Sequence, residues 1–244
     1  MKKTLFTLIC LLAFGMTSNA QTSVEIGEIN IGVSAGGGVS SAIPFLDFDP
    51  VANVHGGVSF AYLASEYFFY EFDLLFQKKG FKRELSMLGY SETETFNAYY
   101  MELPLTANPV LPLPSGKVDL GIMAGVYFAY GVGGKVKVEQ KADAADFLNA
   151  LGDSFSEAGM DIEFETDGET GVSTSSERDF FGDDGAKRFD FGIRYGLSLG
   201  ISERTRFTIA IDHGILDDFR KHDGAESMIS KNYVLMGTLS FYFR

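Results

Sequence analysis

Residues 188–202 read RFDFGIRYGLSLGIS, and this stretch decides how the rest of the chain is interpreted. Every second residue from Phe189 to Ile201 is large and apolar, whereas the residues between them are Asp190, Arg194, one serine and three glycines. A period of two indicates a β-strand, because successive side chains of a strand point to opposite faces. The stretch therefore predicts a strand with one apolar face and one face of small and charged residues.

The same alternation recurs along the chain and favours an up-and-down architecture. Eight runs cover about residues 29–40, 54–64, 67–81, 96–107, 117–138, 188–202, 204–216 and 232–243. The connections after the second, fourth and sixth runs are short, whereas the connections at 41–53, 82–95, 139–187 and 217–231 are longer. Alternating short turns and long loops predict an all-β, eight-stranded antiparallel up-and-down transmembrane β-barrel, with both termini at the short-turn end.

The composition of the two faces decides which side of the strands is the inside. A soluble sandwich or lipocalin-like barrel is the alternative, and its apolar face would form the core. Here the polar face is dominated by glycine, serine and threonine, which leave room inside a narrow barrel. If the apolar face meets lipid, closure of the ring satisfies every backbone group, which lipid cannot do. We therefore expect the lipid bilayer of the outer membrane to surround the apolar face.

The N-terminus predicts export. MKK provides a basic start, TLFTLICLLAFGM is a short apolar run, and TSNA ends it with small residues. This layout predicts a secretory signal peptide over 1–20, followed by the barrel domain over 21–244. The only cysteine is Cys10, and the formal net charge is −13. An acidic exported chain without clustered lysine and arginine is not expected to bind nucleic acid.

Several segments are similar to a known family. LLFQKKGF (74–81), YMELPL (100–105), the G-x-Y-x-A-Y pattern at 125–130 and the closing KNYVLMGTLSFYFR (231–244) resemble the PorT-like outer-membrane β-barrel family. The resemblance covers nearly the whole chain after residue 20, except the 139–187 loop. It implies an outer-membrane barrel of Gram-negative type. Some relatives in that family are linked to secretion across the outer membrane.

The polar face carries a cluster of charges that we expect inside the barrel. Its members are Glu71, Asp73, Glu102, Asp190, Arg194, Arg206 and Asp212. Eight strands leave an interior that side chains can fill, so the cluster predicts a structural ion-pair plug, with a narrow polar conduit as the alternative. Asp190 and Arg194 lie roughly 13 Å apart along one strand and cannot pair with each other. Their candidate partners are Glu71, Glu102 and Arg206.

The predicted external loop 139–187 is the most individual feature of the sequence. It carries fourteen Asp or Glu residues and only three Lys or Arg residues. Residues 143–159 have a helical apolar period, which predicts a short helix. The helix could pack across the barrel mouth, or the loop could bind an extracellular protein or glycan partner. Calcium is a weak third possibility, because Glu163, Glu165 and Asp167 precede Gly168 as in an EF-hand, although Thr174 replaces the final Glu.

An enzymatic role has little support in the sequence. The only histidines are His55, His213 and His222, and no GxSxG, HExxH or phosphate-loop motif is present. Asp212, His213, Asp217 and His222 lie near one loop, so an Asp–His hydrolytic pair is conceivable, but no motif supports it. We therefore expect a non-enzymatic outer-membrane protein without a resident cofactor, with a structural or binding role. The alternative is a narrow passive channel or an accessory component of a secretion system.

Overall fold

The computed structural model describes residues 26–43, 48–87, 90–113, 118–143, 171–181, 185–217 and 230–243. These residues form nine β-strands: β1 (Ile29–Ile43), β2 (Asp49–Ser65), β3 (Phe68–Met87), β4 (Tyr90–Pro112), β5 (Asp119–Asp143), β6 (Gly171–Asp179), β7 (Phe189–Ser202), β8 (Thr205–Gly214) and β9 (Lys231–Phe243). No helix in the described ranges is long and apolar enough to cross a membrane.

Eight of these strands close into a ring. Each strand pairs antiparallel with its neighbours, in the order β4-β3-β2-β1-β9-β8-β7-β5, and β4 pairs with β5 to complete the circle. Ile31 opposite Phe243 pairs the first strand with the last, so both ends of the ring of strands lie at the short-turn end. The predicted eight-stranded antiparallel up-and-down barrel is therefore confirmed. β6 lies outside the ring and pairs with β5.

The faces of the ring have the polarity that the alternation predicts. Along β7, Phe189 and Leu197 are 50% and 62% exposed on the outside, whereas Arg194 is 4% exposed on the inside. The other strands of the ring repeat this pattern, with exposed Val, Ile, Leu, Phe and Tyr outside. An apolar exterior around a polar interior is the arrangement that lipid requires.

Three strands are longer than a membrane needs. β3, β4 and β5 have 20, 23 and 25 residues, whereas about 10 residues cross the hydrocarbon core. The pairing of β2 with β3 ends at Lys82, and the pairing of β7 with β5 begins at Tyr130. These positions mark the rim of the ring at its long-loop end. Beyond the rim, the ends of β3, β4 and β5 therefore continue with β6 as a four-stranded sheet, which we call the protruding sheet.

Two of the predicted loops were wrong in part, because they contain strands of the protruding sheet. The 82–95 connection is a hairpin whose strands pair from Lys82 opposite Thr95 to Met87 opposite Tyr90. Within 139–187, the end of β5 pairs with β6. These segments were predicted as loops because they carry no apolar stripe. Above the rim the outer face of the sheet meets no lipid, so these segments lack the alternation of apolar and polar residues that identified the other strands.

A β-bulge lies where β5 passes the rim. Tyr99 of β4 lies opposite Gly133, and the next residue, Tyr100, lies opposite Gly131, so one extra residue of β5 is accommodated. A bulge reverses the faces of the residues that follow it. Val136 is therefore buried, although unbroken alternation would place it outside.

Three other predictions lie outside the described residues. The signal peptide falls in 1–25, and the weak calcium candidates fall in 144–170. The helix predicted over 143–159 also falls there, except for Asp143, which ends β5.

Candidate functional site

Charged side chains form an unbroken series of ion pairs in the lumen, from β8 to β3. Arg194 on β7 donates to Asp212 on β8, from Nε to Oδ1 at 2.6 Å and from Nη2 to Oδ2 at 2.7 Å. The same Nη2 donates to Glu102 on β4 at 2.5 Å. The other carboxylate oxygen of Glu102 lies 2.7 Å from Nζ of Lys79 on β3, and this Nζ lies 3.3 Å from Asp190 on β7. We call these residues the lumenal ion network.

The lumenal ion network is sealed from solvent. No member is more than 4% exposed, and Lys79, Glu102 and Asp212 are 0% exposed. Removing charges from water costs several kcal/mol per ion unless pairing and further hydrogen bonds compensate. Such bonds are present: Tyr127 Oη and Asn232 Nδ2 donate to Asp190 at 3.2 and 3.0 Å. Nζ of Lys79 also lies 4.2 Å from the centre of the Tyr127 ring, a cation–π distance.

Aromatic rings fill the lumen on the long-loop side of this network. They come from Phe48, Phe81, Phe96, Tyr100, Tyr127, Phe180 and Phe181, which we call the aromatic cap. Phe180 and Phe181 follow β6 and turn back into the mouth, with ring centres 4.8 Å apart. A glycine at 131 makes this possible, since a Cβ there would collide with the ring of Phe181. The mouth of the barrel is thus closed by packed apolar groups.

The short-turn half of the lumen is polar and less filled. Arg206 on β8 donates to both oxygens of Asp119 on β5 at 2.8 and 3.0 Å, and its guanidinium lies 4.5 Å from the centre of the Phe69 ring. Tyr242 donates its hydroxyl to Glu71 at 2.5 Å. A cavity of about 330 Å³ lies at this end, with Phe69, Asp119, Arg206 and Tyr242 in its wall. Space inside the described barrel therefore lies below the lumenal ion network.

The charges singled out from the sequence all lie on the inner face but occupy two levels. Glu102, Asp190, Arg194 and Asp212 belong to the lumenal ion network. Glu71, Asp73 and Arg206 lie in the short-turn half, where Asp73 is opposite Ser59 of β2. Arg194 contacts Glu102, which was among its candidate partners. The candidates for Asp190 were wrong, because Asp190 contacts Lys79.

Lys79 is a member of the lumenal ion network that was not predicted from the sequence. The alternation of β3 contained the signal, because Glu71, Asp73, Leu75, Gln77 and Lys79 share one parity. Lys79 lies within the predicted run 67–81, but it was not included among the inner-face charges. In the structure β3 continues to Met87, and Lys79 lies opposite Ala98 with its side chain buried in the lumen.

The described residues do not assemble the other candidate sites. Glu163, Glu165 and Asp167 are outside the described ranges. Within these ranges, no group of three or more His, Cys, Asp or Glu side chains is placed to hold a metal ion. Of the four residues considered for a hydrolytic pair, Asp212 and His213 point to opposite faces, and His222 lies outside the described residues. Asp212 binds Arg194 inside the barrel, whereas the His213 ring packs near Tyr233, with centres 6.2 Å apart.

A closed antiparallel ring with a lipid-compatible exterior and a charged, packed interior defines a transmembrane β-barrel of the outer-membrane class. Residues 19–217 match the model of the family described as outer membrane protein beta-barrel domain. The chain belongs to this family, and its location is therefore the outer membrane. Among curated proteins, none matches the chain significantly.

Solved structures with a similar strand arrangement are outer-membrane proteins. The chain is similar to neisserial surface protein A (10% identity, 87% of this chain and 97% of that chain, TM-score 0.40). It is also similar to Escherichia coli outer membrane protein W (16% identity, 91% and 100%, TM-score 0.38). A third is Ail, the attachment invasion locus protein of Yersinia pestis (11% identity, 90% and 100%, TM-score 0.34).

Proposed function

We propose that this protein is a non-enzymatic outer-membrane barrel whose closed lumen supports an external recognition element. The recognition element is the acidic 139–187 segment, and the partner is an extracellular protein or glycan. The observation that carries the proposal is the lumenal ion network, which crosses the barrel with Lys79, Glu102 and Asp212 fully buried. A barrel filled in this way stabilises its own wall, and we expect it to leave no continuous water path through the network.

The aromatic cap supports the same conclusion independently. Phe180 and Phe181 close the mouth with apolar groups, and an apolar constriction opposes the passage of ions even where a narrow space remains. The cap also ties the chain that leaves β6 to the barrel. The backbone N–H of Phe180 donates to Gly134 at 3.1 Å, and the N–H of Gly131 donates to Arg188 at 2.6 Å. The ends of the acidic segment are thus mounted on a rigid base.

The charge of the segment indicates the kind of recognition. Between the last residue of β5 and the first of β6, residues 144–170 contain eight Asp or Glu and no Lys or Arg. Such a stretch favours a partner with a basic surface, because opposite charges steer the encounter. The PorT-like resemblance, and with it an accessory role in secretion, stays a prediction from the sequence.

Conductance in planar bilayers separates the closed barrel from the alternative, a narrow passive channel. We expect the purified full chain to insert without producing unitary currents. A clear unitary current that changes when Arg194 is replaced by alanine would exclude the closed lumen. Ile193→Ala is the matched control, because Ile193 is the neighbouring residue on the lipid-facing side and is 42% exposed.

A loop replacement tests the recognition role. Residues 144–170 are exchanged for a short Gly-Ser linker, which retains β5, β6 and the aromatic cap. We expect the barrel to fold and reach the outer membrane but to lose the partner that cross-links to the intact protein in whole outer membranes. If the same partner is recovered in equal amount with the linker variant, the acidic segment is not the recognition element.

A further inference from the structure

Two buried oxygens without hydrogen-bond partners flank one carboxylate in the short-turn half of the lumen. They are Oδ1 of Asp73 on β3 and Oδ1 of Asn108 on β4. The carboxylate is that of Glu71, which is 7% exposed, and Asn108 is 1% exposed. In the described residues only one further buried side-chain atom lacks a partner, Oδ1 of Asp190 in the lumenal ion network. Because buried polar atoms almost always have partners, two such oxygens beside one acid point to a ligand.

The register of the strands places these three side chains on one part of the inner wall. Glu71 and Asp73 are two residues apart on β3, so their Cα atoms lie about 7 Å apart and their side chains share a face. Thr106 of β4 lies directly opposite Glu71, and Asn108 is the next inward residue of β4, at a diagonal separation of about 7–8 Å. Nδ2 of Asn108 donates to Thr106 at 3.0 Å. We call Glu71, Asp73 and Asn108 the lumenal oxygen cluster.

The lumen holds more negative than positive charge. Between the short-turn end and the rim, the inner face of the described ring strands carries six carboxylates and three cations. The carboxylates are those of Glu71, Asp73, Glu102, Asp119, Asp190 and Asp212, and the cations are Lys79, Arg194 and Arg206. Four of the carboxylates form ion pairs with these cations, whereas Glu71 and Asp73 form none with any described residue. Two carboxylates removed from water are costly unless a positive charge compensates them.

The described side chains around the two acids do not supply this positive charge. Arg206 is engaged with both oxygens of Asp119, at 2.8 and 3.0 Å. Tyr242 donates its hydroxyl to Glu71, which provides a hydrogen bond but no charge. Both ring nitrogens of His55 contact uncharged side chains instead. The compensating charge therefore has to come from outside the described residues.

The surroundings of the lumenal oxygen cluster suit a small ion. Ser59 lies directly opposite Asp73, and its hydroxyl is hydrogen-bonded to that of Ser34. The wall beside Asp73 is thus formed by small side chains that carry further oxygen ligands. The cavity of about 330 Å³ at the short-turn end leads to the same place, because its wall includes Tyr242, whose hydroxyl contacts Glu71.

We propose that the lumenal oxygen cluster binds one calcium ion, with Glu71 and Asp73 as its charged ligands. Calcium prefers carboxylate, amide and water oxygens and takes about six to eight of them. Its two positive charges balance the two unpaired carboxylates, and Oδ1 of Asp73 gains a partner. The carbonyl of Asn108 lies beside Glu71 on the side of the cavity, from which the ion and its remaining water ligands enter. The site is separate from the acidic segment 144–170, so it does not depend on the recognition role of that segment.

Equilibrium dialysis with radioactive calcium tests the proposal. The full chain is folded in nonionic detergent with EDTA, which prevents ions from being trapped during folding, and is then dialysed against increasing calcium. We expect the Glu71→Gln, Asp73→Asn variant to bind one calcium ion fewer than the unaltered protein. The acidic segment 144–170 is identical in both proteins, so any calcium that it holds cancels in the comparison. Calcium should also raise the urea unfolding midpoint of the unaltered protein more than that of the variant, because a ligand of the folded state stabilises it.

The matched control removes two negative charges from the same end of the barrel. Glu66 and Glu203 are exposed acids at the mouth of the cavity, and the Glu66→Gln, Glu203→Gln variant should bind as much calcium as the unaltered protein. Equal calcium binding by the unaltered protein and the Glu71→Gln, Asp73→Asn variant would overturn the proposal, as would an equal loss in the control. A variant midpoint that exceeds that of the unaltered protein by the same amount in calcium and in EDTA would also overturn it, by assigning water or protons to the cluster. A mobility shift between unheated and heated samples on a gel verifies that every variant is folded.

Discussion

Arg194 and Asp212 are direct cross-strand partners on the inner face of the barrel, and two hydrogen bonds of 2.6 and 2.7 Å join them. A planar guanidinium matches both oxygens of a carboxylate, so this pair fixes the orientation of the arginine. Nη2 of the fixed arginine, which already donates to Asp212, also donates to Glu102 of β4. The pairing of β7 with β8 thus positions the guanidinium for a contact with β4, which is separated from β7 in the ring by β5.

Removing the arginine should be costly. Arg194→Met leaves Asp212 without its ion pair and leaves Lys79 as the cation beside Glu102, in a region where all three side chains are fully buried. Breaking a buried pair from one side costs about 3–5 kcal/mol, so we expect the unfolding midpoint in urea to fall markedly. Arg204→Met, on the turn after β7, is the control and should change the midpoint little. Equal midpoints for both variants would contradict a stabilising role of the lumenal ion network.

Replacing Asp212 together with Arg194 tests by urea unfolding whether the two charges interact. Combining Arg194→Met with Asp212→Leu removes both charges and leaves apolar groups of similar size. Because the main cost of each single variant is an unpaired buried charge, the double variant should be more stable than the sum of the single effects predicts. Simple additivity would show that the two side chains do not interact in the folded barrel.

Adjacent residues of β7 should report opposite environments. Leu197 is 62% exposed on the outside, and Ser198 is 4% exposed on the inside. Cys10 is the only cysteine of the sequence, so replacing it allows single labels at 197 and 198. In bilayers we expect a spin label at 197 to be relaxed by oxygen dissolved in lipid, and a label at 198 to be protected from it. Equal accessibility at both positions would exclude the assigned faces.

The sequence predicts the ring well because each of its strands experiences two different solvents. In β7 the first residue of each consecutive pair faces lipid and the second faces the lumen, from Phe189 and Asp190 to Leu199 and Gly200. β6 was not predicted because both of its faces meet a polar environment, so TSSERD has no period to detect. The bulge at Gly133 was not predicted either, since alternation alone cannot show where one extra residue reverses the faces.

The site was only partly predictable for a related reason. Strand parity places Arg194, Glu102 and Asp212 on the inner face, but parity contains no information on distance across the lumen. Register and strand length supply that information, and they bring Lys79 rather than Arg206 to Asp190. The contact of Arg194 with Glu102 was within reach of the sequence because both residues lie near the middle of long runs.

The protruding sheet contains a carboxyl group whose titration can be measured directly. Tyr90 donates its hydroxyl to Glu92 at 2.6 Å, and this bond lowers the pKa of Glu92 below its ordinary value. A lowered pKa in the folded state means that the ionised group stabilises the sheet at neutral pH. That contribution is lost as the pH falls through the lowered value. Tyr90→Phe should therefore raise the pKa of Glu92, which carbon NMR of labelled glutamate measures.

The control for this titration is another exposed tyrosine. Tyr67 lies at the short-turn end and is 59% exposed. Tyr67→Phe should leave the pKa of Glu92 unchanged. A smaller second rise is expected when Gln140, which donates to Glu92 at 2.9 Å, is replaced by leucine. No change in either the Tyr90 or the Gln140 variant would show that these hydrogen bonds do not form in solution.

Proline at two neighbouring positions of β6 tests whether this strand is the edge of the protruding sheet. Ser175 lies opposite Glu139, and Ser176 lies opposite Val138. In an antiparallel edge strand, successive N–H groups point alternately toward the partner strand and toward the open side. Proline has no N–H, so it breaks the pairing at one of these positions and is tolerated at the other.

We expect only one of Ser175→Pro and Ser176→Pro to remove hydrogen-exchange protection from residues 136–141 of β5. In both variants residues 120–128, which pair with β7 inside the ring, should keep their protection. Loss of protection in 120–128 would show that the barrel depends on the protruding sheet, and identical behaviour of the two variants would exclude β6 as a regular edge strand.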